Sequence, residues 1–232
     1  MNMGNSFLIL INKHLRRYLP IIIGLFVALV FSFASNLYLG WGKEILTDHL
    51  RLIMGLVEQW LIVIFLLALI LFLEHQTLSS IGIKKMSKRD VFWGVLGFLV
   101  GSACFLITTP IISALNLTAS NSGAAQIIST VPFSLRVAMV LTAGITEEII
   151  FRGYMIERLN TLTGHIGVSA IISYIVFVMF HIPFWGLGGA IQIGTWSIVI
   201  TVLYMRRKNL TACILMHILT DMNILIPVLF IR

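Results

Sequence analysis

The chain alternates long apolar runs with short polar connections. Apolar residues dominate 21–39, 52–73, 91–115, 136–158, 165–181, 187–205 and 210–231, and each run is near the ~20 residues that a spanning helix needs. The pattern predicts an all-α fold, a polytopic transmembrane helix bundle of about seven spans. Residues 5–19 differ. They mix Phe7, Leu8, Leu10, Ile11 and Leu15 with Lys13, Arg16 and Arg17, which suits a short interfacial helix. The first run exceeds the core of about 7–15 residues of a secretory signal, so it reads as an uncleaved helix. Gly97 and Gly101 form a GxxxG in the third run, which lets a neighbouring helix approach closely. Pro183 closes the fifth run, and Gly186, Gly188 and Gly189 would permit a re-entrant turn before the sixth. With no internal repeat, low-complexity tract or separate soluble domain, 1–232 reads as a single membrane-embedded domain. Within it, 1–90 carries the N-terminal spans and a polar connection, and 134–225 carries the helices with chemistry.

Composition strengthens this reading. Of the 232 residues, 59% are hydrophobic and only 11% are charged, against about 25% charged in a soluble domain. The net charge of +7 would suggest nucleic acid in a soluble protein. Here the cations fall in short groups between apolar runs, which points to topology and anionic lipid and to no nucleic-acid partner. Lys13, Arg16 and Arg17, the cluster Lys84, Lys85, Lys88 and Arg89, then Arg158, and finally Arg206, Arg207 and Lys208 fall on one side of a seven-span arrangement. The positive-inside rule makes that side cytoplasmic, with the N-terminus inside. Cys104 and Cys213 lie within apolar runs without metal-ligand spacing and read as small buried hydrophobes.

The expensive residues are Glu147, Glu148 and Arg152, inside an otherwise apolar run. A charge at a helix centre in hydrocarbon costs about 2.5–3.5 kcal/mol even on lenient scales, and such groups face a bundle interior or a wet cavity. Glu148 and Arg152 are four apart and share a helical face, so they can pair. Glu147 is offset by about 100° from Glu148 and has no partner in its own helix, which makes it the better candidate for general-base chemistry. His181 ends the fifth run. In the seventh, His217 and Asp221 are four apart on one face. An aspartate can fix an imidazole tautomer, and either group can polarise a carbonyl. Two carboxylates and two histidines on late helices fit hydrolysis by a water activated on glutamate, with imidazole and Asp221 or a metal stabilising the oxyanion. HExxH and GxSxG are both missing, as is the GxGD of intramembrane aspartyl enzymes. With the run boundaries above, helix rise puts Glu147 and His217 near the membrane middle and His181 closer to the outer side.

In this order, Glu147-Glu148-x-x-x-Arg152, Phe177-x-x-x-His181 and His217-x-x-x-Asp221 resemble the motifs of the CAAX protease and bacteriocin-processing (CPBP, or Abi) family. Leu78-Ser79-Ser80-Ile81-Gly82-Ile83 also resembles a stretch common in its bacterial members. The resemblance implies a glutamate intramembrane endopeptidase. Glu147 would activate water with help from His181, His217 and Asp221 would stabilise the oxyanion, and Glu148 and Arg152 would support them. The family often has Asn where Asp221 stands, and a carboxylate cannot donate a hydrogen bond. The resemblance also implies a bacterial cell membrane and a peptide precursor or membrane protein as substrate. It favours a metal-free site over a zinc bound by Glu147, His181 and His217. The alternatives are a non-proteolytic scaffold or bacteriocin self-immunity protein built on the same polar network, and an ion-coupled carrier, for which no inverted repeat speaks.

Overall fold

The computed structural model describes residues 17–30, 48–117 and 130–225, whose regular elements are all helices with no strand among them. Most of the interfacial helix expected at 5–19 lies outside the described residues, as do residues 118–129 of the uncharged stretch between the third and fourth runs. In chain order the helices are α1 (Arg17–Val30), α2 (Asp48–Ala68), α3 (Lys88–Ala114), α4 (Phe133–Glu147), α5 (Ile156–Thr163), α6 (Ile166–Arg207) and α7 (Leu210–Asp221). A π-helical turn, Leu69–Leu73, extends α2, and a longer π-helical stretch, Glu148–Met155, joins α4 to α5 without a break. Four helical stretches are long and apolar enough to cross a membrane: His49–Leu73, Lys88–Ala114, Ile166–Pro183 and Trp185–Arg207. Arg17–Val30 and Leu210–Leu225 are shorter apolar helices that abut residues outside the described set.

Outward faces are apolar. Phe72 is 73% exposed and Leu106 is 77% exposed. In water such a surface is a liability, whereas beside lipid tails it has no cost. Helices in such a setting associate by close packing and interhelical hydrogen bonds, and α3 shows both. A Cβ at Gly97 would come within 2.7 Å of Met216 Sδ on α7, and one at Gly101 within 2.6 Å of Trp196 Cδ1 on α6. The N-terminus of α3 has a capping box: Ser87 Oγ accepts from Asp90 N–H, and Asp90 accepts from Ser87 N–H. Asp90 then receives Arg207 and the Asn209 amide, which fastens this end to the junction of α6 and α7.

Two expectations change. The fifth run does not stop at Pro183. The helix continues through it and turns at Gly186, whose φ of 67° favours glycine, so α6 has two limbs. The run containing the glutamates does not stop at Arg158 but continues to Thr163, where Gly164 caps it with φ 71°. Glu147 and His181 therefore stand the same number of residues either side of Gly164, and their side chains meet at 3.8 Å. The two are level, and His181 is not nearer the outer side.

The connection 74–90 is more than a polar link. Leu78–Ile81 forms a 3₁₀ turn whose Ile81 is fully buried. Leu210 N–H donates to the Gly82 carbonyl at 2.8 Å, Arg158 donates to Ser80 Oγ at 2.9 Å and to Glu74 at 2.6 Å, and Tyr154 donates to Glu74 at 2.8 Å. The turn thus ties the helix after the glutamates to the start of α7.

Overpacking the α3 seam should cost about 1–3 kcal/mol. Gly101→Ile is expected to lower the thermal unfolding midpoint in detergent. Gly55→Ala, where nothing lies within 4 Å of the added carbon, is expected to leave the midpoint unchanged or raise it slightly.

Candidate active site

The site lies where the α4–π junction, the first limb of α6 and α7 meet. Glu147 is the last residue of α4 and Glu148 the first of the π stretch. All eight residues from Glu148 to Met155 are buried. Burying Arg152 at 1% exposure requires a partner, and Glu148 supplies it: Arg152 Nη1 donates to Glu148 Oε1 at 2.9 Å. The guanidinium face lies over the Phe177 ring, 4.0 Å from its centroid, and Nη2 donates to Ser197 Oγ at 2.7 Å.

Glu148 Oε1 also receives His217 Nδ1 at 2.8 Å. The carboxylate only accepts, so Nδ1 carries a proton and Nε2 faces the site. From His217 Nε2, Asp221 Oδ2 lies at 3.4 Å and Glu147 Oε2 at 3.9 Å. On the opposite side His181 Nε2 lies 3.8 Å from the same Glu147 oxygen. His181 Nδ1 donates to the Phe177 carbonyl at 2.7 Å, which leaves Nε2 as its free nitrogen when the ring is neutral. One oxygen of Glu147 thus faces two ring nitrogens at distances too long for direct hydrogen bonds and short enough for all three to share a water. Among the described residues, no group of three or more His, Cys, Asp or Glu is arranged to hold a metal ion.

The structure therefore brings Glu147, Glu148, Arg152, His181, His217 and Asp221 into one cluster. The i, i+4 pairing of Glu148 with Arg152 follows the sequence expectation. The second role of Glu148, holding Nδ1 of His217, has no signature in spacing because the partners are on different helices. Neither do Trp196 and Ser197. The Trp196 ring stands edge-on to His217 with centroids 4.8 Å apart, and its indole N–H donates to Thr220 Oγ1 at 3.1 Å. On the other flank, α2 presents consecutive side chains to α4: Thr146 donates to Gln59 at 2.6 Å and Trp60 donates to Thr142 at 3.0 Å. Beside these bonds an apolar cleft of ≈400 Å³ opens between α2 and α4, lined in part by Val57, Trp60, Leu61, Leu135, Ala138 and Thr142. A polar indole or hydroxyl inside an apolar run is the only hint the sequence offers for this layer.

A membrane-embedded helix bundle with a buried glutamate–histidine cluster defines the class of the protein. Residues 129–223 match the family model described as Rce1-like, type II CAAX prenyl endopeptidase. This is the CAAX protease family that the motif order resembles, and the match spans every residue of the cluster. It supports, at this coarse level, a membrane protease. No curated protein and no solved structure matches the chain.

Because Glu148 and Arg152 neutralise each other while buried at 0% and 1% exposure, removing one partner should cost about 3–5 kcal/mol. Glu148→Ala and Arg152→Ala are each expected to destabilise the detergent-purified protein strongly. Replacing both at once should cost less than the sum of the two, as read by thermal unfolding in a double-mutant cycle.

Proposed function

We propose that the cluster hydrolyses a peptide bond with a water activated by Glu147. The observation that carries this reading is the convergence of Glu147 Oε2 with Nε2 of His181 and of His217, at 3.8 and 3.9 Å. Glu147 takes a proton from the water as the oxygen attacks the scissile carbonyl. The same carboxyl then returns the proton to the leaving amine as the C–N bond breaks. His181, held by the Phe177 carbonyl, presents its bare Nε2 to the attacking water. His217 faces the developing oxyanion and, when doubly protonated, donates to it through Nε2 while Nδ1–H stays on Glu148. Asp221 can only accept as a carboxylate, so it acts through His217, which it holds from the Nε2 side.

The substrate in this reading is an apolar segment of a peptide precursor or membrane protein, in a bacterial cell membrane whose cytoplasmic face carries the clustered lysines and arginines. The apolar cleft beside Trp60 and Thr142 suits such a segment. No metal takes part in this scheme.

Two measurements test it. Membranes from cells producing the wild-type chain should contain new peptide N-termini, found by terminal-peptide mass spectrometry. Glu147→Gln, His181→Ala and His217→Ala should each reduce their formation by about 10²–10⁴-fold, the usual contribution of a positioned acid–base group, while the proteins remain folded and inserted. Undiminished cleavage by Glu147→Gln would sink the proposal. Cleavage by the purified protein should also survive a strong zinc chelator; loss that added zinc restores would replace this mechanism with a metal-assisted one.

A further inference from the structure

The two adjacent glutamates pose a problem of choice. Arg152 lies four residues after Glu148 and five after Glu147. In an α-helix only the first spacing puts the side chains on one face. From Glu148 to Met155, however, the helix is π. Its hydrogen bonds run from i to i+5, and the wider turn brings residue i+5 nearer to the face of residue i than an α-helix does. Glu147 stands immediately before this stretch, so Arg152 lies nearer its face than the sequence spacing alone implies. A guanidinium has five N–H donors and, in a buried site, pairs with whatever carboxylate it can reach. If it paired with Glu147, the base would be neutralised and Glu148 would keep only the ring N–H of His217.

What holds Arg152 to one side is on α6. Phe177 lies against its flat face at 4.0 Å, and Ser197 Oγ accepts Nη2 at 2.7 Å while Nη1 goes to Glu148. Ser197 is fully buried. Thr108, Thr109, Thr195 and Thr220 donate back to carbonyls of their own helix, a common habit of such side chains, while Ser173, also on α6, donates across to the Phe151 carbonyl. Ser197 is instead recruited across the bundle by an arginine 45 residues away.

We propose that Ser197 is a positioning residue that selects which glutamate is neutralised: by holding Nη2 of Arg152 it commits the guanidinium to Glu148 and leaves Glu147 unpaired. This rests on the reading of Glu147 as the base, but its test does not require cleavage.

A hydrophobic carbodiimide reacts with membrane carboxyl groups that can take up a proton and spares those locked in ion pairs, so the site of its adduct reports the pairing. The full-length protein in lipid nanodiscs is treated with dicyclohexylcarbodiimide, and the adduct is located by peptide mass spectrometry. In the wild type it should fall on Glu147 and spare Glu148. Ser197→Ala should shift the adduct toward Glu148, and Ser197→Thr, which keeps the hydroxyl, should restore the wild-type pattern. A wild-type adduct on Glu148, or on both glutamates equally, overturns the proposal without any variant. So does an unchanged pattern in a folded Ser197→Ala. If the adduct shifts as stated and no peptide is ever cleaved, the positioning role stands and the protease reading falls. Where cleavage is measurable, Ser197→Ala should lower kcat with KM unchanged, and Ser197→Thr should recover it.

Discussion

A carboxylate in hydrocarbon must be met by donors, and in this bundle a single oxygen meets that demand for three helices. Glu148 Oε1 accepts from Arg152 on its own helix and from His217 on α7, and Arg152 in turn reaches Ser197 on α6. The constraint is local, yet its effect is long-range. Once Arg152 is neutralised and laid against Phe177, the first limb of α6 has a fixed place, and with it His181 four residues further on. Once Nδ1 of His217 is taken, the orientation of its ring is fixed, and Nε2 has only one direction left to face. Glu147, the one carboxylate not absorbed by this arrangement, finds itself opposite both histidines.

The bracing at the other end follows the same logic with different residues. Glu74 accepts from Tyr154 and Arg158, Glu157 from Tyr204 and Lys208, and Asp90 from Arg207 and Asn209. Each acid joins segments distant in sequence. Between these bonds the turn at 78–81 wedges Ile81 beneath the π stretch, where a side chain on Gly153 would come within 2.9 Å of the Ile81 carbonyl. The glutamates are therefore held on a helix clamped at its lower half, with the other half resting on α2 through Thr142 and Thr146.

Much of this was legible in the chain. Apolar runs of spanning length announce the helices, and carboxylates, histidines and an arginine inside such runs announce the site because nothing else justifies their burial. The i, i+4 spacing of Glu148 and Arg152 marks Glu148 as the glutamate that can pair within an α-helix. What remained hidden depends on relations between helices. The level at which His181 meets Glu147 depended on five more helical residues after Arg158, past a polar stretch that reads as a boundary. The second partner of Glu148 and the hydroxyl of Ser197 depend on which faces of α6 and α7 turn inward, and an apolar run exposed to lipid on one side and protein on the other carries little periodicity to show it. The connection 74–90 reads as no more than a polar connection because its composition is polar, whereas Glu74, Ser80 and Asp90 within it bond to other helices.

The eight-residue π stretch also sets a phase. A helix that widens for two turns and then narrows again emerges rotated relative to the one that entered. The acids on the α4 side can look toward the histidines while Tyr154, Glu157 and Arg158 look toward Glu74, Lys208 and Ser80. A uniform α-helix of the same sequence would leave this stretch at a different phase. The local loss of regularity is what allows one rod to serve two unrelated directions, and it places the mechanical junction of the bundle directly after the residue proposed to do its chemistry.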